Sequence, residues 1–76
     1  MAELIAWIAR QLVDEPDQVR VETEERDGDT VLRLHVAQAD LGKVIGRQGR
    51  VARALRTVAR AGSARSRGRI VLEIAE

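Results

Sequence analysis

The sequence predicts an α+β fold: a three-stranded mixed sheet covered on one face by three helices, in the order helix, strand, strand, helix, helix, strand. Three observations carry this. Apolar residues recur at helical spacing at the N-terminus and again after residue 50, and they alternate with period two over residues 19–25, 31–36 and 70–74. Asp27-Gly28 stands between the first two alternating segments, the signature of a tight hairpin and hence of antiparallel pairing. The last strand follows a helical crossover, which makes it a parallel, right-handed neighbour of the strand before it. Packing three helices on one face of such a sheet buries all the apolar stripes at once.

Each element has its own reason. From Ala2 to about Val13, Leu4, Ile5, Ile8 and Leu12 fall within one arc of about 100° on a helical wheel and are expected to face inward. Trp7 lies just off that arc, either as a core-edge residue or as an exposed interface anchor. Pro16 cannot continue the helix and restricts Glu15 before it. "VRVETEE" alternates Val19, Val21 and Thr23 against Arg20, Glu22 and Glu24, as a half-buried strand does. After the turn, Leu32, Leu34 and Val36 share one face, and Asp40 is placed to cap the helix that follows. Leu41 to Ile45 form a short helix ending at Gly46. A longer helix starts near Gly49, with Val51, Ala54, Leu55, Val58 and Ala59 in one stripe and Arg50, Arg53, Arg56 and Arg60 opposite; Gly62 stops it. "IVLEI" closes the sheet with Ile70, Leu72 and Ile74 on one face. The other face of the sheet, bearing Arg20, Glu22, Arg33, His35 and Glu73, is expected to be wet.

The 76 residues fit one domain, 1–76, near the lower limit for an unassisted core, and 45% of them are hydrophobic, too many for a disordered chain. With no cysteine, no disulfide or thiolate metal site can staple the fold. The opening "MAELIAWIARQLVDEP" has no basic start and is broken by Arg10 and Gln11. It reads as neither a signal peptide nor a membrane span, so a cytoplasmic, membrane-free protein is expected. Net charge is +1 but lopsided: residues 1–40 carry −6, residues 41–69 carry +9 without one acid, and residues 70–76 carry −2. So dense a basic segment points to a face for a polyanion; the alternative is a solvated charged surface.

"GKVIGRQGR", residues 42–50, spends three glycines and three basic residues on nine positions. Glycine inside a helix costs roughly 0.5–1 kcal/mol relative to alanine, so the three need a reason. The spacing of Gly42, Gly46 and Gly49 is neither a dinucleotide fingerprint nor a Walker loop. Lys43 and Arg47 exclude a membrane GxxxG pair. What remains is G-x-x-G at Gly46, Arg47, Gln48 and Gly49, a tight loop between two helices. The second helix begins there, so its free N–H groups and positive dipole end attract phosphate, and the glycines let a sugar–phosphate backbone approach.

An aliphatic pair, then Gly-x-x-Gly, then a helix is the core motif of the KH domain, which "VIGRQG" resembles residue by residue. The helix-first order is similar to the type II arrangement. Over residues 2–75 the chain resembles the KhpA-like family of small bacterial single-KH proteins, in "LIAWIARQLVDEPDQV", "GKVIGRQGRVARALRTV" and "RIVLEI". The resemblance implies single-stranded RNA binding without catalysis or cofactor, the loop clamping the backbone of about four nucleotides. The clamp maps to Gly46, Arg47, Gln48 and Gly49, followed by Arg50 and Arg53. The groove would run between the short helix, at Lys43 and Val44, and the last strand near Val71, bordered by the basic loop with Arg65, Arg67 and Arg69. It also implies an RNA chaperone that partners a KhpB-like (Jag-like) KH protein, with links to cell-wall and cell-length control.

With neither Tyr nor Phe, base stacking is scarce, so binding should be weak, electrostatic and of low sequence specificity. His35 is the sole histidine, and no nucleophile–base–orienter set accompanies it, so an enzyme is not expected. The rival reading is a protein-interaction module whose glycine loop is structural only. In it, RNA, if bound at all, would sit on the Arg53–Arg60 face. Self-association through the second core helix, residues 50–61, fits either reading, since Ala52 and Ala59 permit close approach.

Overall fold

In a computed structural model, residues 1–65 and 68–76 are described, with all side chains except those of 64 and 65. The elements are α1 (Ala2–Leu12), β1 (Arg20–Arg26), β2 (Asp29–His35), α2 (Leu41–Ile45), α3 (Arg50–Ala61) and β3 (Ile70–Ile74). The sheet order is β1-β2-β3. β1 and β2 pair antiparallel from Arg20 opposite His35 to Arg26 opposite Asp29, and β2 and β3 pair parallel from Thr30 beside Ile70 to Leu34 beside Ile74. Order and pairing are those of a type II KH fold. The hairpin closes as its sequence requires: Asp27 (φ 53°) and Gly28 (φ 86°) are both left-handed, the type I′ geometry whose twist matches the strands.

The core lies between the sheet's covered face and the helices, where Ile5 and Ala9 of α1, Val44 of α2 and Leu55 and Ala59 of α3 meet Leu32, Leu34 and Leu72. Fully burying one such leucine or isoleucine is worth about 1.5–3 kcal/mol, so a handful of these contacts hold the layers together. On the open face Arg33 bridges Glu73 (3.2 Å) and Glu24 (3.3 Å), Arg26 pairs with Glu24 (3.0 Å), and His35 meets Glu22. This is the wet face expected, and exposed pairs of this kind contribute little stability each.

Two helical faces are turned from where their apolar patterns placed them. In α1 the buried residues are Ile5, Ala6 and Ala9, while Leu4, Trp7 and Leu12 are 45%, 58% and 39% exposed. The alanines let the helix sit close to the sheet, which rotates its larger side chains outward; Trp7 is thus exposed and not at the core edge. In α3 the buried residues are Ala52, Leu55 and Ala59, with Val51 and Val58 half-buried and Ala54 exposed. Ala52 and Ala59, expected to serve self-association, are occupied inside the fold instead. Gly62 ends α3 without a left-handed residue (φ −67°), the chain tightening into a 3-10 turn over Gly62–Arg65. Among the described residues no helix is long and apolar enough to cross a membrane.

Candidate nucleic-acid interface

α2 delivers the chain to the glycine loop, and its placement is set from two sides. Val44 has no exposed surface and anchors α2 in the core. Asp40, immediately before α2, is 2% exposed, yet its carboxylate makes no cap bond to α2. It reaches instead across the fold: Asp14 N–H donates to Oδ1 (3.3 Å), Glu15 N–H to Oδ2 (3.1 Å), and Lys43 Nζ to Oδ1 (3.3 Å). Lys43 also pairs with Asp14 at 3.0 Å. The expected helix cap is thus a latch that ties the end of α1 to the start of α2.

Burial alone would push the Asp40 carboxyl up, but the N–H groups of Glu15 and Asp14 and the Lys43 ammonium together hold it below its ordinary value of 3.8. Bonding to Asp14 and then to Asp40 pushes Lys43 up. A depressed carboxyl contributes stability above its unfolded-state pKa and loses it as pH falls through the folded one. Thermal melts should therefore hold steady down to about pH 4 and fall below it. Asp40→Asn should melt lower at neutral pH and show a shallower acid decline. Parallel acid profiles for the two proteins would remove Asp40 from that linkage.

The loop itself is tightly wound. Gly46 (φ 78°, ψ 173°) leaves α2, and Gly49 N–H donates back to the Gly46 carbonyl at 3.1 Å. Gln48 (φ 57°, ψ 25°) and Gly49 (φ 74°, ψ 16°) are both left-handed, so three of the four loop residues have positive φ. For glutamine this costs roughly 1–2 kcal/mol, and it was not legible in the sequence. The result is a tip that projects Arg47 and Gln48 into solvent.

Beyond the tip, Arg50, Arg53, Arg56 and Arg60 are exposed along α3, and among the described residues none of these, nor Arg47, is paired with a carboxylate. Between α3 and β3 runs a groove of about 260 Å³ lined by Arg56, Arg60, Ser63 and residues 69–72. Val71, on the free edge of β3, is exposed there, and Ile70 N–H is held by Ser63 Oγ at 2.8 Å. Arg69 is anchored by its N–H to Asp29 Oδ1 (3.0 Å) while its guanidinium lies 3.5 Å from Asp29 Oδ2.

The arrangement therefore gathers Arg47, Gln48, Arg50 and Arg53 near the loop, and Arg69 and Val71 across the α3–β3 groove. It does not bring Lys43 or Val44 to that surface: Lys43 is turned to Asp14 and Asp40, and Val44 is core. Arg67 and the Arg65 side chain lie outside the described residues. Arg56 and Arg60 are added to the groove; their spacing from Arg53, three and seven residues on, is the signal that places all three on one side of α3.

Residues 2–74 match the family model described as KhpA/KhpB, KH domain. A Treponema pallidum protein named RNA-binding protein KhpA is 53% identical over 72 residues, 95% of this chain and 90% of that protein. The proteins of the same name from Borreliella burgdorferi and Bacillus subtilis are 47% and 46% identical, covering 95% and 97% of this chain and 88% and 91% of theirs.

Proposed function

The chain belongs to the KhpA/KhpB family of KH domains, and from that membership we propose that it binds single-stranded RNA, with the Gly46–Gly49 loop clamping the sugar–phosphate backbone. The observation that carries this is the loop tip, where Arg47 and Gln48 stand exposed beside a row of arginines that, among the described residues, no carboxylate neutralises. From the tip the strand runs along α3 toward Arg69 and Val71, with Arg50, Arg53, Arg56 and Arg60 available to phosphates. Three to five such contacts give a log–log salt slope of roughly −2 to −4. Titration of a single-stranded oligoribonucleotide across salt concentrations tests it, and an affinity indifferent to salt would sink it.

The partner reading rests on a separate feature. Between α1 and α3 lies a cleft of about 330 Å³ lined by Ile8, Leu12, Arg50, Val51, Ala54, Leu55 and Val58. Leu4, Ile8 and Leu12, four residues apart, carry the same apolar surface along α1. A second copy presents an identical ridge and can close the cleft by a two-fold contact, so self-association uses the outer side of α3 and not Ala52 and Ala59. A KhpB-like KH protein is the alternative occupant. Ala54→Asp should abolish a dimer seen by sedimentation while the chain stays folded, with a modest drop in melting temperature from the lost association and the poorer helix former, and a wild-type chain monomeric at high concentration would refute self-association. RNA-chaperone activity and the link to cell wall and cell length are part of the same proposal and rest on family resemblance.

A further inference from the structure

The chain has one Trp and neither Tyr nor Phe, and that Trp7 is 58% exposed, the most exposed of the large apolar side chains. The RNA path along the loop and α3 makes no use of it. It borders a cleft of about 580 Å³ between α1 and the start of β1, with Glu3, Arg10 and Arg20 around the rim. Ala6 and Val19, both buried, form the floor. β1 is the sheet edge opposite β3, so this cleft and the α3–β3 groove lie on different sides of the fold.

The rim is ordered by charge. Glu3, Trp7 and Arg10 are spaced four and three residues apart, which sets them in one row along α1. The carboxylate stands one turn before the indole and a guanidinium one turn after it. Arg20 lines the cleft from the sheet side. All three charged side chains are exposed, and among the described residues none forms an ion pair. A flat apolar ring with cations at one end and an acid at the other has the polarity of a nucleotide: base, phosphate and the N–H donors of the base edge. A peptide strand is the poorer match. It would have to add to the free edge of β1, whose Glu22, Glu24, Glu25 and Arg26 discourage such pairing.

We propose that this cleft is a second contact for single-stranded RNA: a guanine stacks on Trp7, its phosphate lies on Arg10 and Arg20, and Glu3 accepts from the base edge. Stacking on an aromatic ring and reading of the Watson–Crick edge are the usual means of holding an unpaired base. Only guanine places two N–H donors next to each other on that edge, which suits one carboxylate; the other bases set an acceptor beside their donor. The contact shares with the loop reading only that the ligand is single-stranded RNA. Sites on opposite sheet edges let one chain hold two RNA segments at once.

With one Trp and no Tyr, the chain's fluorescence is that of Trp7 alone, so the contact has its own signal. An oligouridylate carrying isolated guanines should quench it, and plain oligouridylate should quench it less at equal occupancy, read from a label on the RNA. Trp7→Leu, at an exposed position, should stay folded and bind the guanine-bearing strand at least about fivefold more weakly. Arg10→Glu keeps the fluorophore and should lose the quenching, and Glu3→Gln should lose the preference for guanine. Unchanged wild-type emission with the labelled strand bound overturns the proposal and leaves the clamp standing. Emission that shifts with protein concentration and not with RNA also overturns it, assigning the cleft to a second copy. Equal quenching by the two strands overturns the guanine contact. In Arg47→Asp/Gln48→Asp, quenching should return at raised RNA concentration although the loop no longer holds the strand. Quenching lost with the loop at every RNA concentration would mean that Trp7 only senses the clamp, and the proposal falls. If that variant keeps full affinity and full quenching, the cleft stands and the clamp fails.

Discussion

Charge reversal at the loop tip, Arg47→Asp with Gln48→Asp, is expected to abolish RNA binding and leave the thermal melt unchanged. Hydrogen bonds to a charged group contribute about 1.5–3 kcal/mol each, so losing two of them weakens binding by at least about a hundredfold before repulsion is counted. Repulsion adds to this, because two carboxylates would stand where phosphates make their closest approach. The fold has little reason to respond. Both side chains are exposed, and among the described residues neither makes an ion pair or a side-chain hydrogen bond. Surface changes of this kind usually stay within about ±0.5 kcal/mol. The backbone even favours the change: Gln48 is left-handed at φ 57°, a conformation aspartate adopts more readily than glutamine. Acid near the start of α3 also suits the helix dipole. Melting temperature and RNA affinity measured on the same sample decide the matter. Affinity retained within about twofold, less than one such bond, would mean that the loop tip makes no RNA contact and that the Arg53–Arg60 face holds the strand without it.

Gly46→Ala is expected to act in the opposite sense, on the fold first. A Cβ at Gly46 would lie 2.5 Å from Val51 Cγ2, 2.9 Å from Val51 Cβ and 2.8 Å from the Val51 amide nitrogen. The side-chain contacts could be eased by rotation, but the amide belongs to the first turn of α3 and cannot move alone. The backbone adds strain, since φ 78° with ψ 173° is a region essentially reserved for glycine. Strain and overpacking together cost about 2–4 kcal/mol, a melting-temperature drop of roughly 10–25 °C in a domain this small. Gly49→Ala is the control: its φ of 74° is also positive, but a Cβ there meets nothing within 4 Å, so the cost is about 1–2 kcal/mol. If Gly46→Ala melts no lower than Gly49→Ala, the crowding against Val51 is not a constraint. The two loop glycines thus divide: Gly46 is demanded by α3 and Gly49 by backbone conformation.

Much of this molecule was determined by its sequence alone, because the signals were local. Asp27-Gly28 dictates a type I′ hairpin through the φ values those two residues tolerate, and antiparallel pairing of β1 with β2 follows. Period-two alternation in "VRVETEE" and "IVLEI" sets which strand face is covered. Positive φ at Gly46 and Gly49 brackets a loop tip that the G-x-x-G spacing already marked, and the crossover rule made β3 parallel to β2 before any coordinate was known.

What only the tertiary structure decided depends on contacts between residues far apart in the chain. The apolar residues of α1 and α3 include both alanines and larger aliphatics on adjoining arcs, so periodicity says that an inward face exists but not where its centre lies. The choice went to Ile5, Ala6 and Ala9 in α1 and to Ala52, Leu55 and Ala59 in α3, because small side chains bring a helix nearer the sheet. That rotation left Leu4, Trp7 and Leu12 exposed. Asp40 looked like a cap because it stands at a helix start, yet its partners are 25 and 26 residues away. Burial next to free N–H groups outweighs a local cap that water could replace. The same latch drew Lys43 from the proposed RNA face, and packing took Val44 into the core. In this chain backbone conformation is written locally, whereas which side chains reach the surface is settled by the competition among helices for one side of the sheet.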